Sequence, residues 1–73
     1  MMVPNLDRYQ MFSATDKVRK GGGDYTFEGW VMAAFQKRSG AWRYAVENMD
    51  GVLHIFGGHQ LALIEKGAAP PDA

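Results

Sequence analysis

The spacing of apolar residues changes along the chain and divides it into three parts. Residues 1–15 show no sustained period and are interrupted by Pro4 and Asn5. Residues 67–73 are mainly small residues and prolines, with little apolar surface to bury. Terminal segments of this kind are usually poorly ordered. The pattern predicts a flexible N-terminal segment over 1–15, one folded unit over 16–66 and a disordered tail over 67–73.

The folded unit has the pattern of short strands separated by turns. Strands are expected over 17–20, 27–36, 41–47, 52–56 and 61–65. Turn residues separate them at 21–23, 37–40 and 49–51, and the Asp-Gly of the last turn is a strong hairpin signal. Gly29 is expected to mark a bulge or a bend, and His59-Gln60 to form a single 3₁₀ turn. This pattern predicts an all-β fold, a five-stranded SH3-like barrel.

Strand parity sorts the residues of the fourth strand into two faces. Leu53 and Ile55 point one way, and Val52, His54 and Phe56 point the other. We expect the two aliphatic residues to face the barrel interior, so that the other three form an outward apolar face with one polar centre. Such a surface is usually an interface or a ligand site. Two alternatives stay open: a loop or the N-terminal segment covers this face, or the opposite parity buries His54 as a hydrogen-bonded core residue.

Composition limits how so short a chain is stabilised. The 73 residues include no cysteine, which excludes disulfides and thiolate zinc sites, and the two histidines are too few for a zinc site without carboxylates. A core of this size contributes roughly 3–5 kcal/mol of net stability. Association between chains is therefore the expected additional source of stability, and no metal site is predicted.

Charge and hydropathy exclude several functional classes. Eight basic residues balance eight acidic ones, which argues against a dedicated nucleic-acid binder. No apolar run approaches the roughly 18 residues of a membrane span. The first ten residues lack the apolar region of a signal peptide. Together with the absence of cysteine, this predicts a cytoplasmic protein without a membrane partner.

The familiar catalytic motifs are not found. The serines have no nucleophile-elbow context, residues 21–23 lack the Lys-Ser/Thr of a P-loop, and no two carboxylates share a strand face. Two small basic groups remain, which are solvated surface or contacts for an anionic ligand: Lys17, Arg19 and Lys20, and Lys37, Arg38 and Arg43.

Several short motifs carry a resemblance through their order and spacing. Residues 16–20 read Asp-Lys-Val-Arg-Lys, and Phe-Glu-Gly follows a glycine turn at 27–29. Residues 44–47 read Tyr-Ala-Val-Glu, and 51–56 read Gly-Val-Leu-His-Ile-Phe. This order resembles the plasmid-borne, trimethoprim-insensitive type II (type B) dihydrofolate reductases, which carry Asp-Arg-Val-Arg-Lys, Trp-Gln-Gly, Tyr-Ala-Val-Glu and Gly-Ser-Val-Gln-Ile-Tyr. It is also similar to the broader set of SH3-like proteins from phages and bacteria.

The resemblance implies a site and a mechanism. Members of that family are SH3-like barrels that form a homotetramer around one central pore, where NADPH and dihydrofolate meet. Lys20 matches the lysine at the pore mouths, and Ile55 matches the residue whose backbone contacts the nicotinamide. His54 stands where the family has Gln, and Phe56 where it has Tyr. The resemblance thus implies that His54, Ile55 and Phe56 are catalytic and that, with Lys20, they bind the cofactor.

Two functions from different classes follow. The first is NADPH-dependent reduction of dihydrofolate in a tetramer pore. In the family no side chain is the general acid, and catalysis comes from alignment of hydride donor and acceptor. We expect the activity to be weak, because the site carries His54 and Phe56. The alternative is a non-catalytic SH3-like module of phage or plasmid origin that recognises a protein or a nucleic acid.

Overall fold

Five strands and one short turn of helix make up the fold in the computed structural model, which describes residues 8–23 and 26–68. The strands are β1 (Lys17–Lys20), β2 (Phe27–Gln36), β3 (Trp42–Asn48), β4 (Leu53–Phe56) and β5 (Leu61–Glu65). A 3₁₀ turn, Gly58–Gln60, lies between β4 and β5. No α-helix occurs in the described ranges. The predicted strands and 3₁₀ turn are confirmed, with shifts of one residue at β3 and β4.

The strands form one antiparallel sheet in the order β4-β3-β2-β1-β5. The all-β prediction is therefore confirmed. β4 and β5 are the two edges of the sheet, and no backbone pairing between described residues joins them. The closed barrel that the strand pattern predicts is thus not seen in the pairing.

The sheet nevertheless curls around a single core. Neighbouring strands lie about 4.8 Å apart, so strands three positions apart would be separated by about 14 Å in a flat sheet. β1 and β4 have this separation in sheet order, yet Lys20 Nζ on β1 lies 5.8 Å from the centre of the Phe56 ring on β4. Leu61 on the other edge strand belongs to the same core that Phe56 packs against. Both edges therefore bend toward one interior.

The core is built from alternate positions of the inner strands. Trp42, Tyr44 and Val46 face it from β3, as the alternation predicts. The buried residues of the core are Phe12, Val18, Val31, Tyr44, Val46 and Leu61. Phe12 belongs to the segment over 1–15 that the sequence predicts to be flexible, so the packed unit begins before residue 16. Residues 1–7 of that segment lie outside the described ranges.

An extra residue interrupts the pairing of β2 with β3. The register moves from Val31↔Val46 directly to Ala33↔Ala45, which leaves Met32 as a bulge. The expected irregularity of β2 is therefore present, but it lies at Met32 and not at Gly29.

Gly29 has a different structural role. A Cβ atom at this position would collide with the Glu47 carbonyl oxygen and lie 3.0 Å from Val46 Cγ1. The backbone of β3 therefore passes β2 so closely that only glycine fits.

Asp16 ties the two ends of the folded unit together. Its buried carboxylate accepts hydrogen bonds from the Ser13 N–H at 2.9 Å and the Gly67 N–H at 3.0 Å, and Lys66 Nζ lies 3.7 Å away. Chiefly because of the Ser13 hydrogen bond, the pKa of Asp16 is lowered from its ordinary 3.8. Gly67, the first residue of the predicted tail, is thereby anchored, whereas 69–73 lie outside the described ranges.

Tyr44, a core residue, also holds the N-terminal segment in place. The Tyr44 hydroxyl accepts a hydrogen bond from the Met11 N–H at 2.7 Å. The Phe12 ring meets the Tyr44 ring edge-on, with 5.2 Å between centroids. We name Phe12, Asp16 and Tyr44 the N-terminal clasp, because they hold residues 11–16 against the sheet.

No helix in the part of the chain that the structure describes has the length and apolar character needed to cross a bilayer.

Candidate functional site

The β3–β4 hairpin sets the position of every residue on β4. Asn48 Oδ1 accepts hydrogen bonds from the Asp50 N–H at 2.9 Å and the Val52 N–H at 3.0 Å. Gly51 adopts a left-handed conformation with φ of +80°, which glycine tolerates without strain. This turn fixes the register in which β4 pairs with β3.

The register places the residues of β4 on faces opposite to those expected. His54 pairs with Val46 and Phe56 with Tyr44, so both side chains point toward the core. Leu53 and Ile55 point outward and are 59% and 63% exposed. The prediction that Leu53 and Ile55 fill the interior is wrong. The physical reason is that the Asn48 turn and the pairing with β3 choose the phase of the strand.

His54, Phe56 and Phe27 form a group of half-buried rings, here named the aromatic cluster. Phe27 lies 5.0 Å from His54 and 5.8 Å from Phe56, measured between ring centroids. The His54 and Phe56 rings are nearly parallel, at 12° and 5.9 Å. These contacts explain why an imidazole is tolerated at the edge of an apolar core: its ring packs against two phenyl rings.

Lys20 lies at the rim of the aromatic cluster. Its ammonium group is 5.8 Å from the Phe56 ring centroid and donates a hydrogen bond to the Gly22 carbonyl at 3.1 Å. Lys20 as a residue is only 9% exposed. The fold therefore brings together three of the four predicted site residues, Lys20, His54 and Phe56.

Asn48 is a site residue that the sequence analysis missed. Its Nδ2 atom lies 3.5 Å from His54 Nε2. Because Asn48 Oδ1 already accepts two backbone hydrogen bonds, its NH₂ group is the end that faces the imidazole, and His54 Nε2 is then the acceptor. The signal in the sequence was the asparagine two residues before Asp-Gly, a common turn-forming arrangement.

Ile55 is separated from the other predicted residues by strand parity, but its backbone has a distinct position. The Val52 carbonyl accepts a hydrogen bond from the Asn48 N–H at 3.1 Å. In an antiparallel pair, residues alternate between directing their backbone groups toward the partner strand and away from it. Because Val52 directs its carbonyl toward β3, Leu53 and Ile55 direct their N–H and C=O groups outward. These groups, with the two exposed aliphatic side chains, form what we name the β4 edge.

The described residues contain no cluster of metal-ligating side chains. Within 8–23 and 26–68, no group of three or more His, Asp or Glu side chains could hold a metal ion.

Comparison with protein-family models, with curated proteins and with solved structures gives no match for this chain. The features on which a function can be proposed are those that the fold itself assembles, namely the aromatic cluster with Lys20 and the β4 edge.

Proposed function

We propose that the chain is an NADPH-dependent dihydrofolate reductase of the type II kind, in which SH3-like subunits form a homotetramer around a shared pore. In this proposal dihydrofolate and NADPH meet beside β4. The substrate is reduced to tetrahydrofolate by hydride transfer from the nicotinamide, and the accompanying proton comes from water. His54, Ile55 and Phe56 orient the two reactants, and Lys20 attracts their anionic groups.

One observation carries the proposal. Lys20 Nζ lies 5.8 Å from the Phe56 ring centroid, although the two residues are on strands three positions apart in the sheet. The two motifs that resemble the reductase family are therefore adjacent in space. This proximity depends on the curl of the sheet and supports an SH3-like subunit.

The residues present suit the chemical groups of NADPH. The outward N–H and C=O of Ile55 have the polarity needed to bind a carboxamide, and the half-buried rings of the aromatic cluster offer apolar surface to a planar heterocycle. The Lys20 ammonium supplies a positive charge beside those rings. NADPH, when bound, would supply the hydride. The chain contributes position and electrostatics, and alignment of two reactants is a large source of rate acceleration by itself.

Association of subunits is part of the proposal. Leu53 and Ile55 are large aliphatic residues exposed on a sheet edge, and contiguous apolar surface of this kind favours an interface. Four copies of the chain would place four Lys20 side chains around one axis, so that the pore is electropositive although the net charge is zero.

The test is NADPH oxidation measured with and without dihydrofolate, together with the particle mass by light scattering. We expect oxidation that depends on dihydrofolate, a mass of four chains, and at least a tenfold loss of kcat/KM in His54→Ala. Met49→Ala is the control, because Met49 is exposed in the same hairpin and contacts neither reactant in the proposal. A monomeric wild type, or no turnover above background at saturating ligands, would contradict the proposal.

A second function is favoured by the β4 edge alone. Outward backbone groups flanked by exposed aliphatic side chains are the features by which a sheet accepts an extended peptide as an additional strand. The chain would then be a non-catalytic SH3-like module that binds a protein segment. This second function would be favoured by two results together. NADPH oxidation would not increase when dihydrofolate is added, and Ile55→Pro would abolish the binding of an extended peptide.

A further inference from the structure

A groove lies beside the glycine turn that follows β1, and it shares no lining residue with the aromatic cluster. It has a volume of about 340 Å³ and is bounded by the glycine turn after β1, the 3₁₀ turn and the start of β5. The residues that give it chemical character are Arg19, Gly21, Gly22, His59 and Gln60. Arg19 and Lys20 are neighbours on a strand, so their side chains leave β1 on opposite faces. The groove is therefore distinct from the site at β4.

Three polar side chains line the groove beside the apolar Leu61 and Ala62. Arg19 contributes a guanidinium, His59 an imidazole and Gln60 a carboxamide, and among residues 8–23 and 26–68 no Asp or Glu lines the groove. Arg19 Nη2 bonds Glu28 Oε2 at 3.0 Å. A guanidinium has five N–H donors, so one carboxylate does not saturate it.

Glu28 also does not cancel the positive charge near the groove. Lys17 Nζ lies 3.8 Å from Glu28 Oε1, so two cations share one carboxylate.

The side-chain oxygen of Gln60 is engaged within the protein, so its NH₂ group is the part that can donate to a ligand. Gln60 Oε1 accepts a hydrogen bond from the Gly57 N–H at 3.2 Å, and the Gln60 carbonyl accepts one from the Gly21 N–H at 2.9 Å. The first bond commits the side-chain oxygen, so the NH₂ group is the other face of the carboxamide. The second bond ties the glycine turn to the 3₁₀ turn, so the two walls of the groove are fixed relative to each other.

The glycine turn leaves its backbone open to close approach. Gly22 has φ of +79° and Gly23 of +96°, and a Cβ at Gly21, Gly22 or Gly23 would meet no atom within 4 Å. The Gly22 carbonyl, the group that would repel an anion, is engaged by Lys20 Nζ at 3.1 Å. The turn thus leaves space for a ligand, and the Gly22 carbonyl already accepts a hydrogen bond from Lys20.

We propose that this groove binds an oxyanion, a small ligand that carries one or two phosphate groups. The Arg19 guanidinium, the polar side chains of His59 and Gln60, and the fixed carboxamide of Gln60 suit the tetrahedral oxygens of phosphate. The volume of about 340 Å³ lies at the lower end for small-molecule sites. The proposal does not depend on reductase activity, because it concerns other residues and another face of β1.

The experiment is a titration of the isotopically labelled full chain with inorganic pyrophosphate, followed by NMR at an ionic strength held constant with sodium chloride. We expect saturable shifts at the amides of Gly21 and Gly22 and at the Gln60 side-chain NH₂. Arg19→Gln should weaken binding at least tenfold. The matched control, Arg38→Gln, removes an exposed arginine from the β2–β3 turn and should change the affinity by less than twofold.

Gln60→Glu is the sharper variant. It keeps a side-chain oxygen for the Gly57 N–H but replaces the donor with a negative charge, so binding should be lost while the amide spectrum of the sheet is preserved. Failure of the wild type to saturate, an equal loss in Arg38→Gln, or shifts spread over all basic residues would each overturn the proposal. Because neither NADPH nor dihydrofolate is present, the result is independent of the proposed reaction.

Discussion

The N-terminal clasp and the β4 edge border the same core but differ in burial. The residues of the clasp are buried, whereas those of the β4 edge are exposed. In the clasp, the Phe12 ring is buried and the Asp16 carboxylate accepts two backbone hydrogen bonds. At the β4 edge, Leu53 and Ile55 hold most of their side-chain surface in solvent, and their backbone groups face away from the sheet.

The difference separates what folds the chain from what the chain can present to a partner. Burial of apolar surface and satisfaction of buried polar groups are the main stabilising features of a domain. The clasp has both, and its Phe12 ring comes from a segment whose sequence has no strand pattern. The β4 edge has neither, so its aliphatic residues add little to the stability of one chain and are available for association.

The largest effect that tests this contrast is expected for Phe12→Ala. Loss of a buried phenyl ring costs about 3–5 kcal/mol, which is comparable to the whole net stability of a core this small. Urea unfolding followed by tryptophan fluorescence measures it. Phe35→Ala is the matched control, since that ring is 38% exposed and lies outside the core cluster. If Phe12→Ala lowered the free energy of unfolding as little as Phe35→Ala is expected to, the N-terminal segment would not be part of the core.

Asp16→Asn tests the polar half of the clasp with an intermediate effect. An amide retains one acceptor oxygen but loses the charge, so we expect the free energy of unfolding at pH 7 to fall by about 1–3 kcal/mol. Asp50→Asn, in the exposed β3–β4 turn, is the control and should be nearly neutral.

The same variant has a defined pH signature. Because folding lowers the pKa of Asp16 below its ordinary 3.8, its stabilisation is complete above that value and is lost as the pH falls through the lower folded pKa. Wild type should therefore lose stability more steeply than Asp16→Asn below about pH 4. Unfolding midpoints between pH 2 and pH 7 measure this, and parallel profiles would remove Asp16 from the explanation of acid sensitivity.

The smallest effect on stability is expected at the β4 edge. Ile55→Thr should change the free energy of unfolding by no more than about 0.5 kcal/mol at protein concentrations too low for association. It should reduce the mass measured by light scattering at high concentration, whereas Leu63→Thr on the opposite edge strand should leave the mass unchanged. A large loss of monomer stability in Ile55→Thr would make the β4 edge part of the folding core and erase the contrast with the clasp.

Strand positions were predictable from local chemistry, but the face of β4 was not. The bounds of β1, β2 and β5 follow from alternation and from the glycine and polar turns that end it. Alternation alone cannot give the phase of β4, because Leu53 and Ile55 on one parity and Phe56 on the other are all apolar. The phase is set by the Asn48 side chain in the turn and by pairing with Tyr44 and Val46.

The functional features depend on contacts between distant parts of the chain. The approach of Lys20 to Phe56 results from the curl of the sheet, for which the sequence has no local signal. The groove similarly arises where the glycine turn meets the 3₁₀ turn through the Gly21–Gln60 hydrogen bond. The sequence marked Arg19 as part of a basic group, but only the fold shows which residues lie beside it.

Met32 has a consequence for how this chain can change length. It is the one residue of β2 without a partner between Gly29 and Gln36, since Val31 pairs with Val46 and Ala33 with Ala45. Deletion of Met32 would therefore leave every other residue of β2 on its present face. Deletion of a paired residue such as Ala45 would instead move the side chains on one side of the deletion to the opposite face of the sheet. Bulges increase the local bend of a strand, so the same deletion would flatten the sheet. The face on which each side chain lies and the curvature of the sheet can thus be changed separately, because deletion of Met32 alone would alter the curvature and leave the faces unchanged.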